Sequence, residues 1–128
     1  MIKDSRGCLG SEELEEVKSA FEYGYFGLAF KVDEFEEVLK SYFGASYVVA
    51  TNTGTTALHL ALDALRIGPG DEVIVPSLTF VASFQAISAT GAKPVSCDIH
   101  PDTLLMDVKD VERRLSAKTK AVMPVHYA

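Results

Sequence analysis

Tyr47-Val48-Val49-Ala50-Thr51-Asn52-Thr53-Gly54-Thr55-Thr56-Ala57-Leu58-His59-Leu60-Ala61-Leu62 changes its hydrophobic period midway. The run 47–51 reads as a short buried strand. Thr53 to Thr56 then open an apolar helix over 57–65 that ends by Gly68. Pro69-Gly70-Asp71 makes a turn, and Val73-Ile74-Val75-Pro76 makes a second strand. The alternation continues downstream. A helix over 78–90 stops at Gly91, and a strand covers 94–97. An amphipathic helix over 107–115 shows Val108, Val111 and Leu115, and a last strand covers 121–125. Alternating strands and helices predict an α/β fold with a mainly parallel sheet and flanking helices. Runs dense in Val, Ile and Ala suit strands covered on both faces.

Upstream of Tyr47 the pattern is helical. Ser11 can cap a helix with Leu14, Val17 and Phe21 on one face and Gly24 at its end. An aromatic loop follows over 25–32. The pair Asp33 and Glu36 then opens a helix whose face is Phe35, Val38, Leu39 and Phe43, stopping at Gly44. The chain therefore divides into a helical segment, 1–46, and a sheet-forming segment, 47–128.

The charge is divided in the same way. The formal net charge is −6, with ten acids against five bases in 1–46 and eight against seven in 47–128. The acidic excess reads as a solvated helix face. No Lys/Arg cluster exceeds the pair Arg113-Arg114, so a nucleic-acid partner is not expected. No apolar run approaches the ~20 residues that cross a bilayer, and no signal-peptide stretch follows Met1, so no membrane association is expected. Cys8 and Cys97 lie far apart with no metal-ligand spacing, so two free thiols, a reducing cytoplasm and no metal site are the expectation. With 128 residues and 48% hydrophobic content, the chain can bury a core.

In an open α/β sheet, ligands bind beyond the carboxyl ends of the strands. Here those ends are 52–56, 76–80, 98–101 and His126. The first is the most informative. Gly54 permits close backbone approach, and Thr55 and Thr56 place hydroxyl and N–H groups at a helix start, a cup for a phosphate. The run is neither GxGxxG nor a P-loop, and a plain capped helix explains it equally well. Phe80, past the second strand, is either a ring for stacking on a flat ligand or one face of a helix with Phe84. His126 and Asp98 follow strands without any triad or metal spacing. His59 reads as packed or capped within its helix, and His100 as exposed.

These residues lie within longer runs. Asn52 to Leu62, Gly68 to Ala82, Gly91-Ala92-Lys93-Pro94-Val95 with Asp98-Ile99, and Pro124-Val125-His126-Tyr127-Ala128 closely resemble the DegT–StrS family of pyridoxal-phosphate sugar aminotransferases. Gly24-Tyr25-Phe26-Gly27, Phe35-Glu36 and Phe43-Gly44 fit as well; Ala29 in place of a glycine and Thr53 in place of a serine depart from it. The resemblance implies the N-terminal part of an aspartate-aminotransferase-like large domain (PLP fold type I), with 47–128 as its first part. It implies pyridoxal 5'-phosphate as cofactor, its phosphate held by Gly54, Thr55 and Thr56 and its ring stacked by Phe80. It also implies an amino donor, usually L-glutamate, a nucleotide-linked keto sugar as acceptor, and a homodimer with the cofactor at its interface. Sugar amination of this kind serves cell-surface polysaccharides or glycosylated metabolites.

The resemblance places the family's Schiff-base lysine, and the aspartate for the pyridine nitrogen, beyond residue 128. No lysine of this sequence sits at a strand's carboxyl end. Lys93, Lys118 and Lys120 precede strands, Lys18, Lys40 and Lys109 fall on helices, Lys31 adjoins one, and Lys3 is terminal. The expectation is no catalytic residue within 1–128 and an inactive, marginally stable polypeptide if these residues stand alone. The resemblance also implies that 73–76 is the middle of three neighbouring strands, with 47–51 apart from them. A PLP-dependent sugar dehydratase of the same family, and a non-catalytic assembly module needing a separate C-terminal chain, are the alternatives.

Overall fold

Val73, Ile74 and Val75 are buried on both sides of one short strand, and the fold is built around them. The computed structural model describes residues 7–26 and 30–126. Its elements in chain order are α1 (Ser11–Tyr23), α2 (Phe30–Phe43), α3 (Gly54–Ala64), β1 (Glu72–Pro76), α4 (Val81–Ala89), β2 (Lys93–Cys97), α5 (Val108–Arg114) and β3 (Thr119–Val122). The three strands form a parallel sheet in the order β2-β1-β3, with Ile74 opposite Val95 on one side and Val122 on the other. A central parallel strand loses both faces to water, which is why β1 carries no polar residue after Glu72.

Two compact units divide the chain, 1–50 and 51–128. In the second, Leu62 of α3 joins Val73, Val75, Ala86, Ile87 and Ala92 in one core, with Leu58 and Phe84 packed against it. Ala82, Ser83 and Ala86 are the small residues of α4's buried face, and α3 packs on α4. At the turn between α4 and β2, Gly91 has φ +83°, and a Cβ there would sit 2.9 Å from the Pro69 ring. Glycine avoids both the backbone strain and the collision.

In the first unit, α1 and α2 carry the acidic excess. Neither buries a residue fully. Lys31 bridges Glu16 at 2.5 Å and Glu34 at 3.3 Å, and the Tyr23 and Phe30 rings meet edge-on at 4.7 Å.

Several boundaries differ from the sequence reading, each for a physical reason. The run 47–51 is not a strand. A strand needs a ladder, and among the described residues none pairs with it; the Ala50 N–H donates instead to Glu36 Oε1 at 2.7 Å. The cap of α1 is Gly10 rather than Ser11: Gly10 is extended, and its N–H donates to Glu13 Oε2 at 2.6 Å. α2 begins three residues before Asp33, drawn back by the Phe30 and Lys31 contacts, so the end of the expected aromatic loop is helical. Residues 27–29 of that loop lie outside the described residues. α4 begins at Val81 rather than Leu78 because the Ser77 N–H still donates to the Cys97 carbonyl, prolonging the ladder. β3 begins at Thr119, so Lys120 lies within it and not before it. Its last ladder bond is Met123 N–H to the Ile74 carbonyl at 2.8 Å, after which Pro124 has no N–H to offer.

Candidate functional site

The connection from α3 to β1 is short, so the C-terminal end of α3 lies near the beginning of β1. Eleven residues of helix and five of strand each span about 16 Å. α4 begins just past the carboxyl end of β1, and α3 packs on α4. The start of α4 therefore lies at the sheet edge at which α/β proteins bind ligands.

Hydrogen bonds hold the first turn of α3 closely. Thr53 is its N-cap, with extended backbone, and Thr53 Oγ1 accepts the Thr56 N–H at 3.1 Å. The Ala57 N–H donates to the Thr53 carbonyl at 3.1 Å. Among the described residues, the N–H groups of Gly54 and Thr55 donate to nothing. A Cβ built on Gly54 meets no atom within 4 Å, so that side of the turn is open to an incoming group. Two free donors, an open approach and the positive end of an eleven-residue helix can receive an anion. The N–H and hydroxyl of Thr56 are already engaged within the turn, the hydroxyl donating to Asn52 Oδ1 at 3.0 Å. The sequence reading included Asn52 in the strand end 52–56 but gave it no role. The signal was its place four residues before Thr56 at a strand-like-to-helix junction.

Phe80 is the N-cap of α4, extended at ψ 146°, with no side-chain cap bond. Its ring is 75% exposed, whereas Phe84 packs against the core. The helix-face reading therefore holds for Phe84 and not for Phe80.

The carboxyl end of β2 is fixed by a residue that the sequence reading missed. Asp110 is buried. Its carboxylate accepts from Arg114 Nε at 2.5 Å, from Arg113 at 3.0 Å and from the Asp98 N–H at 2.7 Å. The spacing to Arg113 and Arg114, i+3 and i+4 on a helix, was the legible signal. Arg114 foremost, then the Asp98 N–H, holds the Asp110 carboxyl below the usual carboxylate range. Asp98 is thus held through its backbone. Burial, aided by the nearby Asp110 charge, pushes the Cys97 thiol up, so this cysteine is inert; Cys8 is free and exposed.

A depressed folded-state pKa contributes stability above the unfolded value and loses it as pH falls through the folded one. Asp110→Asn is therefore expected to be less stable than the wild type near neutral pH. The gap should narrow as pH drops below about 4, the ordinary aspartate range. Urea unfolding across that range checks it, and a gap independent of pH would contradict the assignment.

His59 pairs with Asp63 within α3 at 3.5 Å, and His100 and His126 are exposed. Lys93 begins β2 and pairs with Glu72 at 3.3 Å, Lys118 precedes β3, and Lys18, Lys31, Lys40 and Lys109 lie on helices. Lys3 lies outside the described residues. Among the described residues there is no cluster of three metal-ligating side chains, and no helix is long and apolar enough to cross a membrane.

The model of the DegT/DnrJ/EryC1/StrS aminotransferase family matches residues 7–128. The chain belongs to this family. GDP-perosamine synthase of Caulobacter vibrioides is 52% identical over 93 residues, which is 73% of this chain and 25% of that protein. Among solved structures, the putative sugar aminotransferase Spr1654 from Streptococcus pneumoniae, in its PMP form, superposes with a TM-score of 0.89 at 38% identity, covering 96% of this chain and 31% of the other. DesV of S. venezuelae, in complex with a ketimine intermediate, gives a TM-score of 0.85 at 40% identity over 91% of this chain and 31% of its own. The chain spans a quarter of the length of the curated relative and about a third of these structures. The α/β fold is that of the family's aminotransferases, with β1 in the middle of its three neighbouring strands.

Proposed function

We propose that the chain supplies the phosphate-binding and ring-stacking part of a PLP-dependent aminotransferase that aminates a nucleotide-linked keto sugar. The observation that carries this reading is the coincidence of the 52% identity with GDP-perosamine synthase and the open, donor-rich first turn of α3 within the matched family segment. The donor set suits the cofactor. Gly54 and Thr55 offer the free N–H groups of the cup for its phosphate, Thr56 closes the turn that holds them, and the exposed Phe80 ring offers a flat apolar face to its pyridine. PLP, when bound, supplies an electron-withdrawing ring that stabilises negative charge at the reacting carbon. The chain's own residues bind and orient that ring; proton transfer belongs to groups outside residues 1–128. L-Glutamate is the proposed amino donor, the cytoplasm the proposed compartment, and 47–128 the first part of the cofactor-binding domain following a helical segment, 1–46.

The test is amino transfer from L-glutamate by a full-length protein containing this chain, with a GDP-linked keto sugar assayed first because of the relative's name. Glutamate-dependent formation of an amino sugar is expected. Loss of a hydroxyl from the sugar without amino transfer would favour a dehydratase. A cofactor-loaded protein inert toward nucleotide-linked keto sugars would refute the reading.

The same protein is proposed to be a homodimer, with the aromatic end of α1 at its interface. Phe26, whose ring meets Phe21 at 5.2 Å, remains 69% exposed, and Tyr23 and Tyr25 are similarly bare. Apolar patches of this kind mark contact surfaces. Phe26→Glu is expected to weaken dimerisation by about tenfold or more, from the ~1.5–3 kcal/mol that burying a large apolar side chain contributes. Sedimentation equilibrium reads this directly, and an unchanged dimer would remove Phe26 from the interface.

A further inference from the structure

We propose that Asn52 is a positioning residue for the phosphate cup, acting through Thr56; this rests on the reading of the α3 N-terminus given above. Thr56 has one hydroxyl proton, and it goes to Asn52 Oδ1 at 3.0 Å. Thr56 Oγ1 also lies 3.0 Å from Thr53 Oγ1. With its own proton committed to Asn52, Thr56 accepts here and Thr53 donates. Thr53 Oγ1 in turn accepts the Thr56 N–H at 3.1 Å. Every hydroxyl proton of Thr53 and Thr56 is therefore spent inside the turn, and the direction of the whole chain of bonds is set by the Asn52 acceptor. A further bond, Thr51 Oγ1–H to the Thr53 carbonyl at 2.9 Å, anchors the same cap from the other side.

The consequence is preorganisation. The two N–H groups left for an anion, those of Gly54 and Thr55, belong to a turn whose cap is tied at both ends. Holding donors in place before the ligand arrives spares the ordering cost at binding. Without the Asn52 acceptor the Thr56 proton turns back toward Thr53, the bond direction reverses, and the tie between residue 52 and the helix is lost. Asn52 itself is exposed.

The experiment compares pyridoxal 5'-phosphate with pyridoxal, which lacks the phosphate, in absorbance titrations of a full-length protein containing this chain. Asn52→Ala is expected to weaken binding of the phosphorylated form about threefold to tenfold, the effect of one hydrogen bond, with pyridoxal binding changed less than twofold. Thr56→Val should behave alike. On a Thr56→Val background, Asn52→Ala should then add less than twofold, because the two act as one unit. Equal weakening of both ligands would mean a merely loosened fold and would overturn the proposal, as would unchanged or tighter binding of the phosphorylated form. Gly54→Val separates the two levels. If it leaves the phosphorylated form bound as tightly as before, the cup itself is misplaced. If it abolishes binding while Asn52→Ala does nothing, the cup stands and only the role of Asn52 fails.

Discussion

Gly54→Val in a full-length protein containing this chain is expected to lower its affinity for pyridoxal 5'-phosphate by about tenfold to a hundredfold. The valine side chain holds the phosphate away from the two free N–H groups, which loses about one charge-assisted hydrogen bond, roughly 1.5–3 kcal/mol. The substitution is clean in folding terms. A Cβ at Gly54 touches nothing within 4 Å, and the residue is not in the left-handed region. The thermal midpoint should therefore stay close to that of the wild type while the titration midpoint moves. Gly54→Ala should fall between the two, since one methyl obstructs the approach less. Unaltered affinity with Val at position 54 would remove the α3 N-terminus from the cofactor site.

Phe80→Ala is expected to weaken cofactor retention by about tenfold, through the loss of a stacking contact of roughly 0.5–1.5 kcal/mol and the apolar area that goes with it. Phe80→Tyr and Phe80→Trp should retain most of the binding because each keeps a flat ring. The ring is 75% exposed and caps α4 without a side-chain bond, so folding stability should change by no more than about 0.5 kcal/mol. Cofactor retention after dialysis, read beside a urea melt, distinguishes the two roles. If the alanine variant lost stability and kept its cofactor, Phe80 would be packing and not stacking.

Much of the fold was legible because local chemistry and burial agree in the second unit. Val73-Ile74-Val75 is too apolar for anything but a strand covered on both faces, and Pro69-Gly70-Asp71 before it is a turn on composition alone. The Asp71 N–H bonds back to the Gly68 carbonyl as that reading requires. The parallel order β2-β1-β3 was implied only through the family resemblance, since no spacing in the sequence states which strand is central. In the first unit the helices were legible by period, but their ends were not. Gly10 outcompetes Ser11 as a cap because Glu13 reaches its N–H, and α2 starts early because Lys31 and Phe30 find partners on α1. Contacts of this sort join residues far apart in sequence and leave no local mark.

The candidate site divides in the same way. By itself, the sequence determined that a Gly-Thr-Thr run stands at a helix start after an apolar segment, and that an aromatic follows the next strand. Backbone donors at a helix N-terminus come with helix formation, so a local pattern suffices to predict them. Tertiary structure alone decided that Phe80 faces outward while Phe84 enters the core, since both fit one helix face until the ladder extends through Ser77 and delays the start of α4. It likewise decided that 47–51 is not a strand, because a strand exists only where a neighbour supplies the other half of its hydrogen bonds. Asp110 is the third case. Arg113 and Arg114 reach its carboxylate from the same helix at local spacing, but the Asp98 N–H reaches it only because of where α5 lands against β2.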